Sequence, residues 1–169
     1  MTKDQIAASL EEAFSRHGFA EPSVAQLKTA CNVSLRTLYR YYPSKEAMIV
    51  GALEYRHQRY LTILANNLPT DSTESILCIF DKLEQWMTKS APNGCLSMNA
   101  IAAFPNNSLI NQAVKKYKLD VQHIFAHQSE NAELATILYL LHEGVSSAWP
   151  VIGHDAITAA KKAAAHMLK

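Results

Sequence analysis

Apolar residues in this chain recur at intervals of three and four and nowhere alternate, a pattern that predicts helices throughout. Ile6, Leu10 and Phe14 step along one face of a first helix over residues 2–17, with Thr2 or Asp4 as its cap and Gly18 as its stop. Val24, Leu27 and Cys31 make a second, shorter stripe, opened by Ser23 and Gln26 at capping-box spacing. Asn32 tolerates the left-handed backbone of a sharp turn, and Ser34 then caps a third helix whose Leu38 and Tyr42 face inward. Pro43 closes that helix. Ser44-Lys45-Glu46 opens a long one over 45–67, on the order of 35 Å at the usual helical rise.

Beyond a polar connector at 70–73, further helices are expected over 72–90, 95–104, 108–129, 132–149 and 155–168. Ile76, Leu77, Phe80, Leu83, Trp86 and Met87 mark the apolar face of the first of these, and Leu109, Val114, Tyr117, Val121, Ile124 and Phe125 that of the third. Leu134, Ile137, Leu138, Leu141, Val145 and Trp149 stripe the next, with Leu140 pointing elsewhere, and Pro150 and Gly153 separate it from an alanine-rich last helix. The fold class is all-α with about nine helices: a three-helix helix-turn-helix domain over 1–45, then a helical domain over 46–169.

Composition narrows the picture. A chain of 169 residues, 49% hydrophobic and 18% charged, is a folded one with room for a small module and a larger helical core. Net charge is only +1, but residues 23–59 hold six Lys/Arg against two acids, whereas residues 60–169 hold eight against nine. Positive charge is therefore concentrated around the helix-turn-helix, as binding to a polyanion requires. Arg56 and Arg59 lie about three turns along the fourth helix from Lys45 and are expected in solvent. No apolar run reaches the roughly 20 residues of a membrane span and no signal peptide opens the chain, so a cytoplasmic location is expected, with no membrane partner. Cys31, Cys78 and Cys95 show no CxxC spacing, which fits reduced, small buried thiols.

The third helix carries the most specific chemistry. Arg36, Thr37, Tyr39, Arg40 and Tyr41 are left outward, a cationic and aromatic surface suited to a DNA groove. Arg36 can read guanine bidentately, and Thr37, Tyr39 and Lys45 suit phosphate oxygens. With Ser23, Ser34 and Leu35 these make the candidate DNA contacts, and the helix starts at Ser23 and Ser44 add backbone donors for phosphate. His123 and His127 share a helical face, but the glutamate of a zinc-protease HExxH motif is missing and no third ligand is evident, so no metal and no cofactor is expected. No nucleophile elbow, P-loop or dinucleotide fingerprint supports an enzyme.

SVAQLK, CNVSLRTLYRYY and PSKEAM, with Gly18-Phe19 upstream, resemble in unbroken register the N-terminal domain of the TetR family of transcriptional regulators. Cys31 stands where that family has Ala, Asn32 where it has the turn Gly, and Arg36 where it has Gly or another small residue, so the usual base contacts are altered at Arg36. The resemblance implies a repressor that binds a palindromic operator as a homodimer joined through its last two helices, about 132–168, and that a small-molecule inducer releases. It implies that Ser23, Thr37, Tyr39 and Lys45 hold the DNA backbone. It also implies a ligand cavity in the body, near Trp86, Met87, Met98, Phe104, Tyr117, Phe125, His142 and Trp149. Gly94-Cys95-Leu96 resembles a segment in one subgroup of that family, and an alternative reading makes Cys95, at a helix start, a thiol sensor of electrophiles or oxidants.

Overall fold

The computed structural model describes residues 1–169 and contains nine α-helices and no strand. They are α1 (Lys3–His17), α2 (Val24–Ala30), α3 (Leu35–Tyr41), α4 (Lys45–Ala65), α5 (Ser72–Ser90), α6 (Leu96–Ala103), α7 (Ser108–Ser129), α8 (Ala132–Ile152) and α9 (His154–Met167). The expected all-helical class and helix count are what the chain adopts.

Local chemistry starts most of these helices. Thr2 and Gln5 form one reciprocal capping box and Ser23 and Gln26 another, each satisfying two otherwise orphaned donors. Ser34 caps α3 by accepting from the Thr37 N–H at 3.0 Å, and Ser44 accepts from the Ala47 N–H at 3.1 Å at the start of α4. Asp71 caps α5 and Asn131 caps α8 in the same way. Asn32 takes the left-handed conformation between α2 and α3 with φ at +50°, as its short polar side chain allows.

One boundary departs from expectation. Pro150 lies inside α8, which runs on to Ile152 and closes when the Gly153 N–H bonds the Trp149 carbonyl at 2.9 Å. Proline removes the donor that would reach the carbonyl four residues back. That carbonyl, on Ser146, lies against Gly94, where a Cβ would stand 3.3 Å from its oxygen and 3.4 Å from the Pro150 ring. Gly94 also holds φ at +89°, so glycine is required there twice over.

The chain divides into two compact units, each drawn from two segments of sequence. The first unit is Met1–Arg59 with Leu96–Tyr117, and the second is Tyr60–Cys95 with Lys118–Lys169. The reason is apolar burial: Met48, Ile49, Ala52 and Leu53 of α4, Leu96 and Ala100 of α6, and Ile110, Val114 and Tyr117 of α7 complete the core begun by Ile6, Leu10, Phe14, Leu27 and Leu38. The second unit has its own core, with Leu64, Ile76, Ile79, Phe80, Leu83, Phe125, Leu138 and Ile157 among its most buried members. No helix is long and apolar enough to cross a membrane.

Candidate nucleic-acid interface

Of the seven residues of α3, only Leu38 is buried. Tyr42, just past its end, is 4% exposed and supplies the second anchor. Anchored at i and i+4, the helix turns its other face to solvent: Leu35, Arg36, Tyr39 and Arg40 are exposed, and Thr37 and Tyr41 are half-buried. The Arg40 guanidinium stacks on the Tyr41 ring at 4.8 Å and donates to its hydroxyl at 3.1 Å, holding the cation at the helix's edge. Thr37 and Ser34 share a hydroxyl–hydroxyl hydrogen bond at 2.9 Å. The Lys45 ammonium donates to the Ala20 carbonyl at 3.0 Å, tying the start of α4 to the connection before α2. Ser23 is exposed at the N-cap of α2. All nine candidate DNA contacts thus lie in the first unit, and Lys45 alone among them is engaged by a backbone group from outside its own helix.

Of the two neighbouring cations expected in solvent, Arg59 is exposed and Arg56 is not. Arg56 is buried and reaches Glu11 at 2.6 Å, and Arg59 reaches the other oxygen of the same carboxylate at 2.7 Å. Together they clamp α4 to α1, Arg56 from a buried position and Arg59 from one still exposed to solvent. Glu11 lies 45 residues upstream of Arg56, so no local pattern announces the pair.

The eight residues expected around a ligand are distributed over both units. Trp86, Met87, Phe125 and His142 are buried in the second unit's core, with Trp149 packed against it. Tyr117 belongs to the first unit's core with the partly buried Phe104 packed against it, and Met98 is 45% exposed on α6. Leu109 and Ile137, placed on apolar faces by their spacing, are likewise exposed. Two grooves open on the first unit, of about 380 Å³ between α1 and α2 and about 600 Å³ beside Tyr42 and Gly51; none of the eight lines either one.

Within the second unit a polar chain runs through the core. The Tyr60 hydroxyl meets His142 Nε2 at 2.5 Å, His142 Nδ1 meets Glu143 at 3.1 Å, and the Lys118 ammonium donates to both Glu143 oxygens at 2.9 and 2.7 Å. Burial pushes the His142 imidazole below its ordinary range, since a charged ring is poorly solvated there. Glu143 is held below the usual carboxylate range by its bonds to His142 and Lys118, which outweigh its own desolvation. Lys118 also donates to Cys95 Sγ at 3.2 Å. Lys118 lies 23 residues from Cys95 in sequence, so no local pattern announces this contact. Of the other thiols, Cys31 is pushed up to about 11 by burial, which makes it a poor nucleophile. His123 and His127 are exposed, and no group of three or more His, Cys, Asp or Glu is placed to hold a metal ion.

Residues 6–52 match the family model described as bacterial regulatory proteins, tetR family. Over 53 residues the chain is 32% identical to the HTH-type transcriptional regulator YuxN of Bacillus subtilis (strain 168), covering 31% of this chain and 18% of that protein. The TetR-family regulator SCO4454 of Streptomyces coelicolor has the same fold, with a TM-score of 0.84 at 14% identity over 97% of this chain and 92% of that one. A cysteine-substituted form of the TetR-family regulator CifR, solved with 26-bp double-stranded operator DNA, matches with a TM-score of 0.78 at 20% identity over 97% and 96% of the two chains. These likenesses do not favour the alternative in which Cys95 is a thiol sensor on the same fold. Residues 6–52 thus match the TetR-family model, and the whole chain has the fold of solved TetR-family regulators.

Proposed function

We propose that this chain represses transcription by binding a palindromic operator as a homodimer, and that a small molecule releases it. The observation that carries the reading is α3 itself: a capped helix with one buried residue and an exposed face of Leu35, Arg36, Tyr39 and Arg40. Arg36 reads guanine in the major groove, and Leu35 offers an apolar contact for a thymine methyl. Ser23, Ser34, Thr37, Tyr39, Tyr41 and Lys45 hold phosphates; Lys45 exchanges its Ala20 carbonyl for a phosphate oxygen as the DNA docks.

Dimerisation is supported by the apolar surface of α8, where Ile137, Leu140, Val151 and Ile152 are 44%, 61%, 85% and 51% exposed. A second copy of α8 and α9 covers them in this reading, and a twofold dimer demands a twofold operator. The inducer enters the second unit near Trp86, Phe125 and His142, and it acts by binding the non-DNA-binding state more tightly. Because α4 contributes to both units, it is the proposed mechanical link. The site of action is the cytoplasm.

The test is selection from a randomised duplex library at several salt concentrations. A recovered palindrome whose affinity falls steeply with salt supports the reading. Selection of no sequence by freshly prepared, reduced protein overturns it.

A further inference from the structure

Gly51 sits in the middle of α4, where alanine would be the better helix former. Its neighbour accounts for it. A Cβ built on Gly51 would lie 2.2 Å from Tyr42 Cε1, 2.8 Å from Cζ and 3.0 Å from Cδ1, so the flat edge of the tyrosine occupies the volume that any other side chain would need. The same ring reaches α1, where its hydroxyl donates to the Lys3 carbonyl at 3.5 Å and the Lys3 ammonium stands 5.8 Å from its centroid. Its backbone N–H bonds the Leu38 carbonyl at 2.9 Å, making Tyr42 the C-cap of α3.

Tyr42 therefore ends the exposed helix, rests on α4 and touches α1, and α3 has only Leu38 as a buried anchor of its own. We infer that Gly51 and Tyr42 form a wedge that sets the tilt of α3, and with it the register in which Arg36, Thr37 and Tyr39 meet DNA. Both are positioning residues, and the inference rests on the operator-binding reading. A methyl group at position 51 must move the ring edge from 2.2 Å to the 3.4 Å of ordinary contact, about 1.2 Å. Base readout by paired hydrogen bonds tolerates much less, because such bonds span only a few tenths of an ångström in length. The 600 Å³ groove beside both residues gives the displaced ring somewhere to go. The head then stays folded while α3 loses its stop.

The experiment compares wild type, Gly51→Ala, Tyr42→Leu and the double variant for affinity to the selected operator and to a scrambled duplex, with helix content and hydrogen exchange of the α3 amides measured alongside. Gly51→Ala is expected to lower the operator-to-scrambled ratio by about tenfold or more while leaving scrambled binding nearly unchanged. Tyr42→Leu, lacking the ring edge, lowers the ratio alone but restores it when combined with Gly51→Ala. A general loss of folded protein would weaken both duplexes together and show no such rescue, so that outcome counts against the wedge. A wild-type ratio in Gly51→Ala, or losses that simply add in the double variant, would overturn the inference. Should Gly51→Ala not fold, Tyr42→Leu decides alone: its helix content stays intact and its ratio must fall, and an unchanged ratio refutes the wedge. Should wild type discriminate between no duplexes, it is the operator reading that fails. Hydrogen exchange then settles the wedge by itself, with faster exchange at Leu38 and Tyr42 in Gly51→Ala and recovery in the double variant, or no change and no wedge.

Discussion

Each unit buries a polar network, and the two are built to opposite designs. In the first, a single carboxylate, Glu11, takes two guanidiniums at 2.6 and 2.7 Å. This clamp between α1 and α4 is built from a carboxylate and guanidiniums alone, with no imidazole in it. In the second, the chain Tyr60–His142–Glu143–Lys118 passes through an imidazole that burial keeps neutral. That network can change its charge by gaining one proton. In the proposed reading, a head that presents α3 in one pose is served by the first arrangement, and a body that answers a small molecule by the second.

Breaking the clamp has the largest expected effect. Glu11→Gln leaves two guanidiniums facing a neutral amide, one of them nine-tenths buried, and should cost about 3–5 kcal/mol of stability by denaturant unfolding. A loss below about 1 kcal/mol would mean that the two networks do not differ as described. Lys118→Met in the second unit leaves the largely buried Glu143 with His142 as its partner and should cost somewhat less, about 2–3 kcal/mol, because the imidazole can take up a proton in compensation. Tyr60→Phe removes the hydroxyl facing His142 Nε2 and should cost about 1–2 kcal/mol.

The pH dependence sharpens the contrast most finely. The folded pKa of His142 lies below its ordinary value, so the unfolded chain binds the extra proton first. Stability from this group is complete above the ordinary histidine range and is lost as pH falls through about 6.5, by at most about 1.4 kcal/mol per pH unit. The groups packed against the ring are the Tyr60 hydroxyl, the Glu143 carboxylate and, through it, the Lys118 ammonium. Glu143, also lowered, contributes stability that persists until pH drops below the usual carboxylate range. Thermal unfolding from pH 7.5 to 5.5 should therefore fall more steeply in wild type than in His142→Gln. Glu11→Gln should keep the wild-type slope from a lower starting stability. Equal slopes in wild type and His142→Gln would remove the titratable element from the second network.

What could be read from the sequence was what depends on near neighbours. The capping pairs Thr2–Gln5 and Ser23–Gln26, the left-handed Asn32, the Ser34 cap and the inward pair Leu38 and Tyr42 all follow from spacings of five residues or fewer, and all are present. The helix-turn-helix candidate was legible for that reason. Long-range pairings were not. Arg56 is expected in solvent from sequence because its partner Glu11 is 45 residues away, and the Lys118–Cys95 contact joins residues 23 apart. The Pro150 rule failed because a proline in the last turn sacrifices one hydrogen bond while Gly153 still closes the helix behind it. Spacing also placed Leu109 and Ile137 on inward faces; a period of 3.6 says which residues share a face but not which way that face turns.

The division of the chain bears on how the protein is made. The first unit draws Leu96, Ala100, Ile110, Val114 and Tyr117 into a core whose other members end at Leu53, and His57 meets the Tyr117 ring at 4.5 Å. A nascent chain that has just emerged through Arg59 holds every candidate DNA contact but only part of the interior beneath them. At ribosomal speed the missing 58 residues arrive roughly 3 to 12 seconds later. Until Lys118–Lys169 follows, the second unit's first segment, Tyr60–Cys95, is present without its own partners, so each unit waits for its own later segment before it is whole.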